Sequence, residues 1–201
     1  MKKFSQRFYH FIFYPARIIF ALKHPVLRIH GKENIPQKPA ILCCNHSAFS
    51  DPIWVVFAAH PKRIFRIMAK KELFDIPVLG WLITKVGAFP VDRQISDINA
   101  VKTAMQILKS GDKLLIFPEG TRIRNGKESH PHGGAVMIAA RMGVPIVPVY
   151  LSTDKRFWRP LDVVFGEPYH PSPSERRVSN EELETLSAEM MSKIYKLGEA
   201  L

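Results

Sequence analysis

The chain has 201 residues, 46% of them hydrophobic and 23% charged, with a formal net charge of +11. That length holds one domain with a real core, and the composition excludes disorder along the whole chain. The basic balance implies an anionic partner, whether nucleic acid, lipid headgroup or phosphorylated substrate, and the placement of the basic residues has to choose among them.

Residues 1–23, MKKFSQRFYHFIFYPARIIFALK, lead from Lys2 and Lys3 into apolar sequence as a signal peptide would. Arg7, His10 and Arg17 interrupt that run, and no small-residue cleavage site follows. The uninterrupted apolar stretch 11–14 is far short of the ~20 residues a spanning helix needs. On helical spacing Phe4, Phe8, Phe11, Ile12, Ile18, Ile19 and Leu22 share a face, with Lys3, Gln6, Arg7, His10 and Arg17 largely opposite. Pro15 is expected to kink or divide the helix. Two readings fit: a helix in the lipid headgroup plane, or a helix docked on the protein's own core. Aromatics and cations concentrated together favour the first. Residues 1–25 are therefore expected to form an amphipathic, membrane-associating segment, and 26–201 an α/β domain.

Residues 26–30 and 39–44 read as strands, the second buried on both faces. Its adjacent Cys43 and Cys44 read as small core residues, poorly placed for a disulfide and lacking zinc-site spacing. Residues 52–59 form a helix opening on Pro52. A strand at 64–68 and a helix at 79–85 follow, then an amphipathic helix at 95–109 ended by Ser110-Gly111. Residues 113–117 are a strand running into Pro118, and 134–141 a helix stopped by Gly143. Strands at 145–151 and 161–165, a Pro- and Ser-rich loop at 167–179 and a helix at 180–197 complete the chain. Strands alternating with helices predict an α/β fold with a mixed, mainly parallel central sheet flanked by helices.

Three polar clusters close apolar segments, where α/β sheets carry their sites. Asn45-His46 through Asp51 follows the strand ending at Cys44. Asp51 could hold one His46 ring nitrogen as N–H and leave the other as a general base. No G-x-S-x-G context supplies a nucleophile, so such a base would activate a substrate hydroxyl. By spacing alone, Asp51 serves equally well as a helix N-cap ahead of Pro52, with His46 a polar surface residue. In Phe117-Pro118-Glu119-Gly120-Thr121-Arg122, Gly120 permits close backbone approach, Thr121 offers a hydroxyl and Arg122 a fork for phosphate or carboxylate. The alternative there is a tight turn with solvated charges. In Gly87-Ala88-Phe89-Pro90-Val91-Asp92-Arg93, Arg93 is either a second phosphate ligand or a partner of Asp92. His130-Pro131-His132 looks like a metal-ligand pair, but neither a cysteine nor a suitably spaced carboxylate completes a set.

Taken in order, an N-H-x4-D run at 45–51, the block 87–93, F-P-E-G-T-R at 117–122 and V-P-I-V-P-V at 144–149 form one pattern. With Lys70-Lys71-Glu72-Leu73-Phe74 between the first two, the sequence resembles the lysophosphatidic acid (1-acylglycerol-3-phosphate) acyltransferase family over about residues 41–151. The resemblance makes 26–201 the acyltransferase domain. It implies that His46 removes a proton from the acceptor hydroxyl, which attacks an acyl thioester, while Asp51 orients the ring and stabilises the imidazolium. Arg93 and Arg122 would bind the glycerol-phosphate group, and Lys70 the phosphate or the tetrahedral oxyanion. Glu119, Gly120 and Thr121 would shape the acceptor pocket, with Pro145 and Pro148 structural.

The same resemblance implies no metal and no cofactor, with acyl-CoA or acyl-carrier protein as the donor substrate. Lysophosphatidate or a related lysolipid would be the acceptor and phosphatidic acid the product, at a peripheral position on the cytoplasmic face of a membrane. Another lysolipid acceptor stays open, because Ser129-His130-Pro131-His132 stands where the family often has a lysine before the Gly-Ala of the next helix. A nucleic-acid partner is not expected: the aromatics are not interleaved with Lys and Arg in a binding motif. A non-catalytic lipid-binding module would have no need of a His–Asp pair.

Overall fold

Every apolar strand segment enters one sheet. The computed structural model describes residues 4–59, 64–92, 95, 97–122, 131–173 and 178–201. Among these, the sheet runs in the order β1 (Leu27–His30), β7 (Leu161–Phe165), β6 (Ile146–Leu151), β2 (Ile41–Cys44), β5 (Lys113–Ile116), β3 (Phe65–Lys70), β4 (Phe89–Val91). β6 and β7 pair antiparallel and every other neighbouring pair is parallel, which is the mixed, mainly parallel sheet the alternation predicts. The sequence reading places no strand at 89–91. That segment is short and holds Pro90, which lacks a ladder donor and confines it to a sheet edge, where β4 lies.

Successive strand residues face opposite layers. Leu42, Cys44, Leu115, Val147 and Val149 pack toward α1 (Gln6–Ala21) and α2 (Asp51–Ala59). Ile41, Cys43, Leu114, Ile116 and Ile146 pack toward α4 (Ile98–Lys109), α5 (Gly134–Met142) and α6 (Asn180–Glu199), while α3 (Leu79–Lys85) lies between β3 and β4 in the chain. The two cysteines therefore point to opposite layers, both fully buried and unpaired, and burial pushes both thiols well above their ordinary range. The central strand β2 is buried at every position, each large aliphatic contributing roughly 1.5–3 kcal/mol.

Helix α1 runs without a break through Pro15, where the sequence predicts a kink or a division. Tyr9, Phe13, Ala16 and Phe20 form its inward stripe, with Phe13 and Phe20 packed edge-on against Phe57 and Phe20 against Trp54. Rings seated on both sides of Pro15 hold the two halves in line and offset the missing N–H bond. The predicted apolar face is divided: Phe11, Ile18, Ile19 and Leu22 point outward, between 65% and 73% exposed, while Phe4 packs against the core and Phe8 against Trp81. Arg17, expected opposite, stays exposed and donates to the Phe57 carbonyl at 3.1 Å. The helix thus docks on the protein's own core and still leaves an apolar strip outside. Helix α4 opens at Ile98, later than spacing predicts, because the Asp97 carboxylate accepts from the Ala100 N–H at 2.9 Å and caps it there. Helix α5 stops at Gly143 as expected, in the left-handed conformation that glycine adopts without strain.

Candidate active site

Parallel pairing of β2 with β5 and β6 brings their C-terminal ends to one edge of the sheet. β2 delivers Asn45 and His46 there, and β5 delivers Phe117 to Arg122 beside them. Asn45 clamps the neighbouring strand: its Nδ2 donates to the Leu151 carbonyl at 2.9 Å and its Oδ1 accepts from the Leu151 N–H at 2.8 Å. These two bonds carry the β2–β6 contact past the Cys44–Val149 pair and fix the backbone just before the histidine.

Asp51, the first residue of α2, has a fully buried carboxylate that turns back toward β2. Its Oδ2 lies 3.0 Å from His46 Nδ1 and accepts from the N–H groups of Ser47 at 2.6 Å and Ala48 at 2.7 Å. Those contacts decide between the two readings of Asp51: the carboxylate ties down the turn that carries His46. Its other oxygen, Oδ1, forms an ion pair with Lys155 Nζ at 3.3 Å. Burial alone would push this carboxyl up. The bond from His46, the charge of Lys155 and the Ala48 and Ser47 N–H groups outweigh burial and hold it below its ordinary range. An ionised carboxylate only accepts, so His46 Nδ1 must carry hydrogen, and in the neutral ring the lone pair is then on Nε2. The ring is steadied by Phe117, with centroids 4.4 Å apart and planes tilted by 35°.

Glu119 is the second buried carboxylate, only 3% exposed. Its Oε2 accepts from the His46 main-chain N–H at 2.7 Å, and its Oε1 accepts from the Tyr195 hydroxyl on α6. Burial pushes Glu119 above its ordinary value, against the lowering influence of Tyr195 and His46. Gly120 follows at φ +62, and a Cβ there would lie 2.4 Å from His132 Nε2. Thr121 and Arg122 are exposed beyond it.

The structure thus joins His46, Asp51 and Glu119 directly and sets Gly120, Thr121 and Arg122 on the same turn. Lys70 ends β3, one strand beyond β5, and pairs with Glu72 at 3.1 Å. Asp92 accepts from Lys71, while Arg93 and His130 lie outside the described residues. A cavity of about 570 Å³ shares Phe117, Pro118 and Gly120 with this turn and reaches Asp92, but neither His46 nor Asp51 lines it. Lys155 and Tyr195 are site residues that the sequence reading missed. Lys155 lies in the loop after β6 and Tyr195 is 76 positions from Glu119, so no local spacing points to either.

The Acyltransferase family model matches residues 26–152, which include β1 to β6. The chain is 33% identical over 183 residues to the 1-acyl-sn-glycerol-3-phosphate acyltransferase of Streptococcus pneumoniae, covering 85% of this chain and 65% of that one. It is 31% identical over 199 residues to the protein of the same name from Bacillus subtilis, covering 96% and 98%. It therefore spans just under two thirds of the first relative and nearly all of the second. The crystal structure of the 1-acyl-sn-glycerophosphate acyltransferase from Thermotoga maritima superposes with a TM-score of 0.67 at 26% identity, covering 91% of this chain and 76% of that one. With the match spanning the strands that deliver both His46 and Glu119, the chain belongs to the acyltransferase family that includes these 1-acyl-sn-glycerol-3-phosphate acyltransferases.

Proposed function

We propose that the protein moves a fatty acyl group from an acyl thioester, on coenzyme A or acyl-carrier protein, to the free hydroxyl of 1-acyl-glycerol-3-phosphate, giving phosphatidic acid. The observation that carries this reading is the His46–Asp51 contact of 3.0 Å at the end of β2, in a chain whose relatives bear that enzyme's name. His46 Nε2 takes the hydroxyl proton as the oxygen attacks the thioester carbonyl carbon. The C–O bond forms, the C–S bond breaks, and the imidazolium returns its proton to the departing thiolate. Asp51 keeps the ring in the required tautomer and stabilises the imidazolium. Arg122 and Arg93, with Lys70, supply cations for the phosphate dianion, and two guanidinium forks suit it geometrically. The step as drawn uses only protein groups and the two substrates.

The reaction's lipids place it at a membrane, and the outer strip of α1 fits that position. Phe8 of α1 packs on Trp81 with centroids 5.2 Å apart, and past the other end the Lys23 carbonyl accepts from the Trp158 N–H at 3.0 Å. Val78 and Trp158, both at φ 63, hold backbone conformations rare for such residues and expose their apolar side chains. Among the described residues no helix is long and apolar enough to cross a membrane. The attachment we infer is peripheral, with the exposed strip dipping into lipid on the cytoplasmic face and the net charge of +11 drawn to anionic headgroups.

The test is His46→Ala assayed with lysophosphatidate and an acyl thioester beside other lysolipid acceptors. A loss of roughly 10²–10⁴-fold is expected. Full retention of transfer overturns the mechanism, and equal or better use of another lysolipid overturns the acceptor assignment.

A further inference from the structure

Lys155 takes no part in the reaction as drawn, yet its side chain is only 13% exposed. An ammonium enclosed in this way is costly unless fixed partners receive it. Two do: the Ser152 carbonyl and Asp51 Oδ1, the latter at 3.3 Å. Ser152 is itself held, its N–H donating to the Asp162 carbonyl at 3.0 Å and its Oγ accepting from the Asp162 N–H at 2.7 Å. The Asn45–Leu151 clamp then ties this end of β6 to the strand that carries His46. The two oxygens of one buried carboxylate are thus divided, Oδ2 to the imidazole and Oδ1 to the ammonium.

We propose that Lys155 is a positioning residue of the general base: seated on the Asp51 oxygen that His46 does not use, it fixes the carboxylate and balances its charge. The inference rests on His46 being the base of the proposed reaction. Asp51 alone would favour the protonated imidazole, which cannot accept a proton, and the ammonium opposes that bias. The other groups facing this assembly do not replace it. Glu119 holds the His46 main-chain N–H, while Cys44 and Tyr195 are kept neutral by burial. Lys23 acts on Lys155 from beyond α1, and Asp154 and Arg156 pair with each other in solvent.

The experiment compares wild type, Lys155→Gln and Lys155→Arg in the full chain. The His46 ring signal is followed by NMR against pH and assigned by its loss in His46→Ala, while kcat/KM for transfer to 1-acyl-glycerol-3-phosphate is measured over the same range. Lys155→Gln should raise the His46 midpoint and the acid limb of kcat/KM by on the order of one pH unit, with transfer recovering at higher pH. Lys155→Arg should restore the wild-type midpoint. An unchanged midpoint in folded Lys155→Gln, or transfer lost equally at every pH, overturns the proposal. Lys155→Met, similar in length and uncharged, gives a second reading should the Gln variant fail to fold. If the wild type transfers nothing to lysophosphatidate, the proposed reaction fails and with it the role of Lys155 as support of its base, while an unchanged His46 midpoint in an active enzyme overturns the Lys155 proposal alone.

Discussion

Glu119 holds His46 by its backbone: the main-chain N–H of the histidine donates to Glu119 Oε2 at 2.7 Å, across 73 positions of sequence. The ring is held from the other side by Asp51, so two carboxylates divide the work of orienting one residue. Glu119→Ala would leave the His46 N–H unpaired, which costs about 1–3 kcal/mol if the group stays buried. Glu119→Gln keeps an acceptor and should retain most of that stability. Tyr195→Phe removes a partly exposed donor and should cost about 1 kcal/mol or less. Urea unfolding of the three variants checks the order, and equal stability of Ala and Gln would refute the role given to this bond.

The two carboxylates respond oppositely to pH. Glu119 is raised above its ordinary 4.5, so its contribution to folding is fully present below that value and is lost as pH rises through the raised one. Asp51 is depressed below 3.8, so its contribution is present above that value and is lost as pH falls through the depressed one. Glu119→Gln is neutral throughout. Its thermal midpoint should therefore gain on wild type as pH rises from about 4 to about 8. A difference that stays constant over that range refutes the raised Glu119.

Asp51→Asn tests charge in a carboxylate that meets a ring N–H, two main-chain N–H groups and an ammonium. The amide cannot satisfy all four, and Lys155 is left as an uncompensated buried charge. Transfer should fall roughly 10²–10⁴-fold, and stability by about 3–5 kcal/mol. Kinetics and denaturant unfolding measured on the same preparation separate the two losses.

Gly120→Ala places a Cβ at φ +62, where an L-residue is strained by about 1–2 kcal/mol, and forces the exposed His132 ring to move. The turn bearing Thr121 and Arg122 should shift, so KM for the phosphate-bearing acceptor should rise more than the midpoint of unfolding falls. A variant with unchanged KM and a small stability loss would limit Gly120 to a folding role.

Ile18→Glu with Ile19→Glu alters only the outward strip of α1, where these two residues are 68% and 65% exposed. Thermal stability should change by less than about 0.5 kcal/mol per site. Sedimentation with vesicles containing anionic lipid should drop several-fold. Undiminished vesicle binding would remove the strip from the membrane contact.

Much of this arrangement is legible along the chain because it is local. His46 and Asp51 are five positions apart, so a strand end followed by a helix start can bring them together, although the same spacing suits Asp51 as a cap. The apolar runs that became β2, β5 and β6 are equally plain, since a strand buried on both faces has to be apolar throughout. Helix α1 was less legible. Periodicity marks its apolar residues, but it carries apolar side chains around most of its circumference, and only the position of Trp54 and Phe57 decides that Tyr9 and Phe13 go inward.

The sequence by itself determined the alternating α/β order and the strand-end placement of the polar blocks, because propensity and burial act over a few residues; which of the two readings of Asp51 holds was left to the structure. Only the tertiary structure decided that Glu119 grips the His46 backbone, that Tyr195 closes on Glu119 and that Lys155 sits on the far oxygen of Asp51. Those contacts depend on strand order. β6, β2 and β5 lie side by side in the sheet although they are far apart in the chain, and their shared edge is created by parallel pairing.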